Sequence, residues 1–220
     1  MQTKKLSLSH LIRPNKTLVE KPGLLLMLHG YGSDENDLFS FANELPEELF
    51  IISAKAPYPL QPYGNAWYSI YFDATNGKFN NTAEAKSSVE LIVRFLKESI
   101  EAYDLDAKNV TLLGFSQGAI MSYAVALNYP EKVKIVIALS GFIDRDLIAA
   151  NAPSNNYAHL NIYTSHGTAD QVIPVEWARM TPRFLNELNI KNSYSEFPVG
   201  HGVSPQNFFE FRNWLLEKLS

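Results

Sequence analysis

Ser116 lies in the stretch Gly114-Phe115-Ser116-Gln117-Gly118, and its surroundings favour a nucleophile. The apolar residues 109–113 predict a buried strand before it, and residues 119–127 predict a buried helix after it. A serine between strand and helix lies on a sharp turn, where flanking glycines avoid a steric clash. The hydroxyl then lies at a helix N-terminus, whose free N–H groups favour the negative charge of an oxyanion. The alternative is a tight turn with an unreactive serine.

A nucleophilic serine needs a base, and three histidines follow predicted strands: His29, His166 and His201. Functional residues of parallel sheets gather at the carboxyl ends of the strands, so each of the three is a candidate. We favour His201 because it follows the last predicted strand and has a glycine on either side. We interpret His29 as a structural residue that pins its loop by hydrogen bonds.

The base in turn needs a carboxylate, and we favour Asp170, which follows the predicted strand at 160–166. Asp144 and Asp146 follow the preceding strand and are the competing candidates. The resulting order along the chain, serine, aspartate, histidine, is that of the α/β-hydrolase type.

Strands and helices alternate along the chain, which predicts one α/β domain over residues 1–220. The sheet is expected to be mostly parallel, with helices on both faces. The predicted strands are 24–28, 49–53, 109–113, 132–139, 160–166 and 194–197. Five helices are predicted: one after Ser33 or Asp34, one after Ser204, and three over residues 82–103, 119–127 and 175–189. The helix at 175–189 is expected to restart at Pro182, with Thr181 as the cap of the restart.

Two segments depart from this alternation. Residues 4–12 alternate with a period of two and predict an edge hairpin with residues 17–20, with His10 on its exposed face. Residues 56–80 form an excursion rich in proline and aromatic residues, too aromatic for a disordered loop. Within it we expect Trp67 and Tyr68 to line a pocket beside the serine. Further predicted pocket residues are Phe142, Val172 and Ile173.

The composition of the 220 residues narrows the possible functions. A net charge of −4 gives no argument for binding nucleic acid or an anionic membrane surface. The absence of cysteine excludes disulfides, thiolate catalysis and cysteine-ligated zinc. No apolar run is long enough for a transmembrane helix or a secretory signal, so we expect no integral membrane association and a cytoplasmic location.

The chain resembles the carboxylesterase/phospholipase family of α/β-hydrolases, which includes the acyl-protein thioesterases. Four motifs carry the resemblance, which spans residues 24–218: 28–35, 114–118, 166–174 and 200–204. It implies Ser116 as nucleophile, Asp170 as acid, His201 as base, and an oxyanion hole from the backbone N–H groups of Gln117 and Tyr31. Members often have leucine in place of Tyr31, so the tyrosine is expected to narrow the acyl pocket.

These inferences predict a serine esterase that cleaves carboxylic esters of short to medium acyl chain through an acyl-enzyme. The expected partner is a small-molecule ester or thioester, with no metal and no cofactor, and the protein is expected to be a monomer or homodimer. Three alternatives stay open: an acyl-protein thioesterase or lysophospholipase, a catalytically silent ligand-binding module, and a peptidase or dienelactone hydrolase. The missing cysteine disfavours the dienelactone reaction.

Overall fold

A computed structural model describes residues 2–73 and 77–219. Within these residues the centre of the fold is a seven-stranded sheet. Its strands are β1 (His10–Arg13), β2 (Gly23–Leu28), β3 (Phe50–Ala54), β8 (Asp106–Phe115), β9 (Ile135–Leu139), β10 (Asn161–Gly167) and β11 (Lys191–Phe197). They lie in the order β1-β3-β2-β8-β9-β10-β11, and the pair β1–β3 is antiparallel while the other pairs are parallel.

Helices cover both faces of the sheet, as the alternation of elements predicts. They are α1 (Thr82–Tyr103), α2 (Gln117–Asn128), α3 (Val175–Arg179), α4 (Thr181–Glu187) and α5 (Pro205–Leu219). Residues of α1, α2 and α4 pack with Leu24, Leu26 and Leu28 on one face. Residues of α5 pack with Leu25 and Met27 on the other, because alternate side chains of a strand point to opposite faces. The wholly buried β2 is what a central parallel strand requires.

The predicted N-terminal hairpin is wrong. β1 pairs with β3, with His10 opposite Ala54, and Leu18 in the segment at 17–20 is fully exposed. His10 is buried rather than on the surface, and its Nε2 lies 2.8 Å from the hydroxyl of Tyr103 on α1. Of the predicted stretch 4–12, only residues 10–12 belong to the strand, and its partner β3 comes from more distant sequence.

Helix ends agree with the sequence in part. Asn81 caps α1, since its Oδ1 accepts from the backbone N–H of Glu84 at 3.1 Å, and Ser204 accepts from the N–H of Asn207 at 3.2 Å. The helix after Asp170 does restart near Pro182, but the residue before the restart is Met180, and Thr181 is not its cap. After Ser33 only a short 3-10 helix forms, Leu38–Phe41.

The aromatic excursion contains two short antiparallel pairs. They are β4 (Tyr58–Pro59) with β5 (Asn65–Ala66), and β6 (Ile70–Asp73) with β7 (Gly77–Asn80). Residues 74–76 of the predicted excursion lie outside the described residues. Among the helices of the described part of the chain, none has the length and apolarity needed to cross a bilayer.

Candidate active site

Ser116 lies on a strained turn between β8 and α2. Its φ of 52° and ψ of −117° are unusual for a residue with a side chain. A Cβ on Gly114 would lie 2.3 Å from the carbonyl oxygen of Gly118, and one on Gly118 would lie 1.9 Å from that of Leu28. Both glycines are therefore required by the space around them, and the steric argument made from the motif is confirmed.

Ser116, His201 and Asp170 form one chain of hydrogen bonds. The Nε2 of His201 lies 2.9 Å from the Ser116 hydroxyl oxygen, and its Nδ1 lies 2.7 Å from Asp170 Oδ2. A carboxylate only accepts, so Nδ1 carries the proton and the neutral imidazole presents Nε2 as an acceptor. The serine hydroxyl donates to that nitrogen. This arrangement of alcohol, imidazole and carboxylate can activate a serine for nucleophilic attack.

The carboxylate of Asp170 is held by its own turn. Oδ1 accepts from the backbone N–H groups of Val172 and Ile173, at 2.8 and 2.9 Å. Burial raises the pKa of Asp170, but the hydrogen bond from His201 and the two backbone N–H groups together outweigh burial and lower this pKa. The carboxylate is thus kept ionised beside the imidazole.

Two turns joined by backbone hydrogen bonds bring Asp170 and His201 together. The N–H of Thr168 donates to Phe197 at 2.8 Å, and the N–H of Ala169 donates to Val199 at 3.0 Å. A Cβ on Gly167 would lie 2.2 Å from the carbonyl oxygen of Gly200, so the turn that carries His201 passes directly over this glycine. The parallel register of β10 and β11 sets both turns at the same edge of the sheet.

Asp144, Asp146 and His29 take no part in this chain of hydrogen bonds. Asp144 accepts from the N–H of Asp146 at the start of a short 3-10 helix, and Asp146 is exposed. His29 is fully buried; its Nε2 accepts from the N–H of Ala56 at 3.0 Å, so its Nδ1 donates to Gly30 at 2.8 Å. The structural interpretation of His29 is confirmed.

The two predicted oxyanion donors lie on segments that meet at Ser116. Gln117 is the first residue of α2, so its backbone N–H has no acceptor within the helix. Gly30 packs against the turn at residues 114–118, called the elbow below: a Cβ on Gly30 would lie 3.4 Å from Ser116 Cβ. Tyr31 follows Gly30. The N–H of Gly32 donates to Asn65 at 2.9 Å and fixes this loop. The Tyr31 side chain is exposed, and the proposed donor is its backbone N–H alone.

A cavity of about 320 Å³ lies between the segment after β9 and the helices α3 and α4. Its lining is mainly apolar and comprises Phe142, Ile143, Asp144, Arg145, Trp177, Met180, Thr181 and Phe184. The residue before Phe142 is Gly141, where a Cβ would lie 3.1 Å from the Ser116 carbonyl oxygen. The Phe142 and Trp177 rings meet edge to face at 5.0 Å. Sequence reasoning identified Phe142 but missed Trp177, although a tryptophan in a short helix directly after the Asp170 turn was a visible signal.

Trp67 and Tyr68 do not line a pocket, contrary to the prediction. Their exposed fractions are 0% and 1%, and both belong to the core. The Trp67 indole N–H donates to the carbonyl of His29 at 2.9 Å. The side chain of Gln117 accepts from the N–H of Trp67 at 2.7 Å and donates to the carbonyl of Tyr68 at 2.8 Å. These aromatic residues therefore anchor the excursion to the elbow.

The remaining predicted pocket residues differ in exposure. Val172 is exposed, whereas the side chain of Ile173 is mostly buried. The carbonyl of Ile173 lies 2.8 Å from Nε2 of His166, and its N–H holds Asp170. Among the described residues, no group of three or more His, Asp or Glu side chains is arranged to hold a metal ion.

A mostly parallel sheet with helices on both faces and a serine on a strand-to-helix turn defines an α/β-hydrolase. The chain belongs to the Phospholipase/Carboxylesterase family, whose model matches residues 15–218. It is 28% identical to an acyl-protein thioesterase 1 of Debaryomyces hansenii, with 93% of this chain and 94% of the relative covered. It is 24% identical to a probable carboxylesterase of Oryza sativa subsp. japonica, with 90% and 89% covered.

Solved structures agree with this assignment. The crystal structure of esterase PE8 is 26% identical, with a TM-score of 0.78, and 96% of this chain and 99% of that chain are covered. The Bacillus cereus carboxylesterase shares 19% identity and has a TM-score of 0.83, with 96% and 94% covered, and supports the fold alone.

Proposed function

We propose that this chain hydrolyses carboxylic esters of short to medium acyl chain, with Ser116 as the nucleophile. The observation that carries the proposal is the unbroken chain of hydrogen bonds from Ser116 through His201 to Asp170. A binding module has no need of such a chain, which argues against a catalytically silent protein. Membership of the family and the esterase names among the relatives support the reaction class.

In the proposed reaction, the Ser116 hydroxyl attacks the ester carbonyl while Nε2 of His201 accepts its proton. Asp170 keeps the imidazole in the tautomer that is protonated at Nδ1 and stabilises the imidazolium that forms. His201 then donates the proton to the leaving alcohol, which leaves an acyl group on Ser116. A water molecule, deprotonated by His201 in the same way, releases the carboxylic acid and restores the serine.

The backbone N–H groups of Gln117 and Tyr31 are the proposed oxyanion donors. The loop of Tyr31 is fixed by the hydrogen bond between Gly32 and Asn65, and the N–H of Gln117 is fixed by α2. Donors that are already oriented need no rearrangement when charge develops on the carbonyl oxygen. Loss of one such donor typically raises the barrier by about 3–4 kcal/mol.

Reactivity at Ser116 is tested with a fluorophosphonate probe, which labels an activated serine. We expect stoichiometric labelling of the native chain and none of Ser116→Ala. Ser122→Ala is the matched control, since Ser122 is a buried serine of α2 bonded to the carbonyl of Gly118. Labelling of the control but not of Ser116→Ala supports the proposal, and an unlabelled native chain contradicts it.

The cavity between the segment after β9 and the helices α3 and α4 is the proposed site for the acyl group. A volume of about 320 Å³ suits a short or medium chain, and the ring pair of Phe142 and Trp177 forms part of its wall. A series of nitrophenyl esters from acetate to palmitate tests the length preference, and a maximum on the longest chains contradicts it.

Trp177→Ala should change the preferred length, because it removes one wall of the cavity. Phe209→Ala is a matched control, since Phe209 on α5 is 52% exposed and Trp177 is 50% exposed. We expect the control to keep the native profile. The same change in both variants means that this wall does not select the acyl chain.

Acyl-protein thioesterase activity is the second candidate. Trp177 and Met180 are exposed apolar residues that line the cavity, and Val172, two positions after Asp170, is also exposed. Docking of a long acyl group requires exposed apolar residues of this kind. The Debaryomyces hansenii relative carries the thioesterase name. Comparing kcat/KM for an ester and a thioester of the same acyl group separates the two candidates, since a thioesterase should favour the thioester at every chain length.

A further inference from the structure

A second histidine contacts the Asp170 carboxylate. His166 is the sixth residue of β10 and is almost fully buried. Its Nε2 lies 3.2 Å from Asp170 Oδ2, the oxygen that also receives Nδ1 of His201 at 2.7 Å. The reaction proposed above uses His201 and gives His166 no role.

The neighbours of His166 indicate which of its ring nitrogens carries a proton. Its Nε2 also lies 2.8 Å from the carbonyl oxygen of Ile173, which can only accept, so Nε2 carries a proton and donates. Its Nδ1 is buried and has no hydrogen-bond partner among the described residues. A proton there would be a buried donor without an acceptor, which is costly. The arrangement therefore fits a neutral imidazole protonated at Nε2.

Three hydrogen bonds and one further polar contact surround the Asp170 carboxylate. Oδ1 receives the N–H groups of Val172 and Ile173, and Oδ2 receives Nδ1 of His201. Nε2 of His166 donates to the Ile173 carbonyl and lies 3.2 Å from Oδ2, so its polar N–H faces the oxygen that His201 holds. Because Nε2 also contacts the carbonyl of Ile173, one imidazole ties the carboxylate to the turn that holds it.

We propose that His166 is a positioning residue, which fixes the plane of the Asp170 carboxylate and shares its charge so that Oδ2 stays directed at His201. The proposal rests on the proposed function, because it concerns the efficiency of that reaction. His166 touches neither substrate nor Ser116 and acts only through Asp170.

Other charges near the cluster are balanced. Glu196 on β11 is in register with His166, but it pairs with Arg179 of α3 at 2.7 and 2.8 Å and accepts from the hydroxyl of Tyr194. His201 is the remaining titratable group that contacts Asp170. A change at His166 should therefore reach His201 through Asp170, while Glu196 keeps its own hydrogen-bond partners.

The test compares His166→Leu with His166→Gln. Leucine removes the donor, whereas the amide nitrogen of glutamine has about the reach of Nε2. We expect kcat of His166→Leu, normalised to sites titrated with fluorophosphonate, to fall about ten- to hundredfold. Glutamine should restore most of it. A purely structural role predicts no such rescue.

The pH profile of kcat/KM gives a second readout. In His166→Leu, Oδ1 keeps its two backbone N–H donors, but the polar N–H that faces Oδ2 is lost. The negative charge on Oδ2 is then balanced less well beside the imidazole, and the acid limb should move upward. Glutamine should return the limb to its native position.

Failure of this inference differs from failure of the proposed function. A native chain without turnover on any ester or thioester overturns the proposed function. If the native chain is active and His166→Leu keeps its rate and pH profile, only the role of His166 is overturned. The same holds if His166→Leu and His166→Gln lose activity equally while the acid limb stays in place. If His166→Leu does not fold, His166→Asn replaces it, because its amide is too short to reach Asp170.

Discussion

The glycines around Ser116 and those around His201 differ in how much space surrounds them. Gly118 approaches the carbonyl of Leu28 so closely that a Cβ would lie 1.9 Å from it. Around Gly202 a Cβ would meet nothing within 4 Å, and around Gly200 the nearest atom would be 3.8 Å away. The serine turn therefore needs glycine for space, whereas the histidine turn has room for a side chain.

Gly118→Ala should destabilise the fold by about 3 kcal/mol, because β2 and α2 must separate to admit the methyl group. Gly202→Ala should change the free energy of unfolding by less than about 0.5 kcal/mol. Urea unfolding followed by circular dichroism measures both. Equal changes in the free energy of unfolding for Gly118→Ala and Gly202→Ala would show that the elbow and β2 pack less closely than the distance at Gly118 indicates.

Residue type and order along the chain predicted the serine, the acid and the histidine correctly as spatial neighbours. Each follows a strand, and parallel strands end at one edge of the sheet. Trp67 and Tyr68 were misplaced for a different reason. Their burial depends on Gln117, which is about fifty positions further along the chain, and no local pattern reports such a contact.

At the scale of elements, the sequence predicted the central strands and the long helices but not the N-terminal hairpin. A period of two identifies a half-buried strand without naming its partner. β1 pairs with β3, and His10 is buried by Tyr103 and Phe95 of α1. The contacts of His10 with Phe95 and Tyr103 join segments more than eighty residues apart, so they follow from the tertiary fold alone.

The excursion is fastened to the elbow through the side chain of Gln117. It accepts from the N–H of Trp67 and donates to the carbonyl of Tyr68, and both contacts are buried. The same residue supplies a proposed oxyanion donor through its backbone. One position thus couples the excursion to the first turn of α2.

Gln117→Ala should destabilise the chain by about 2 kcal/mol or more, because it leaves two buried backbone groups without partners. It keeps the backbone N–H, so labelling of Ser116 by fluorophosphonate should persist in the folded fraction. Gln206→Ala, at an exposed position of α5, is the control and should be near neutral. A neutral result for Gln117→Ala means that water replaces both hydrogen bonds at little cost.

Several carboxylates of the described residues have a pKa below its ordinary value, which makes the fold sensitive to acid. The hydrogen bond from Arg179 lowers the pKa of Glu196 to about 2. The pKa of Asp34 is also lowered, by the N–H of Asn36, and burial lowers the pKa of His29. Asp144 is the exception, since burial raises its pKa. In each of the lowered cases the unfolded chain binds protons more readily than the folded chain, so acid favours unfolding.

Glu196 offers a direct test of this sensitivity to acid. Its folded pKa is about 2 against an ordinary value of 4.5, so its contribution is complete above about pH 5 and is lost as pH falls towards 2. Glu196→Gln should therefore lose less stability than the native chain between pH 7 and pH 3, in urea titrations at the two pH values. The difference should stay below about 1 kcal/mol, because the pair is partly exposed and screened by solvent. Glu187→Gln is the control, since Glu187 pairs with Arg183 at 3.1 Å on the open surface of α4, and it should follow the native chain. If Glu196→Gln also follows the native chain, the contact between α3 and β11 contributes nothing to acid sensitivity.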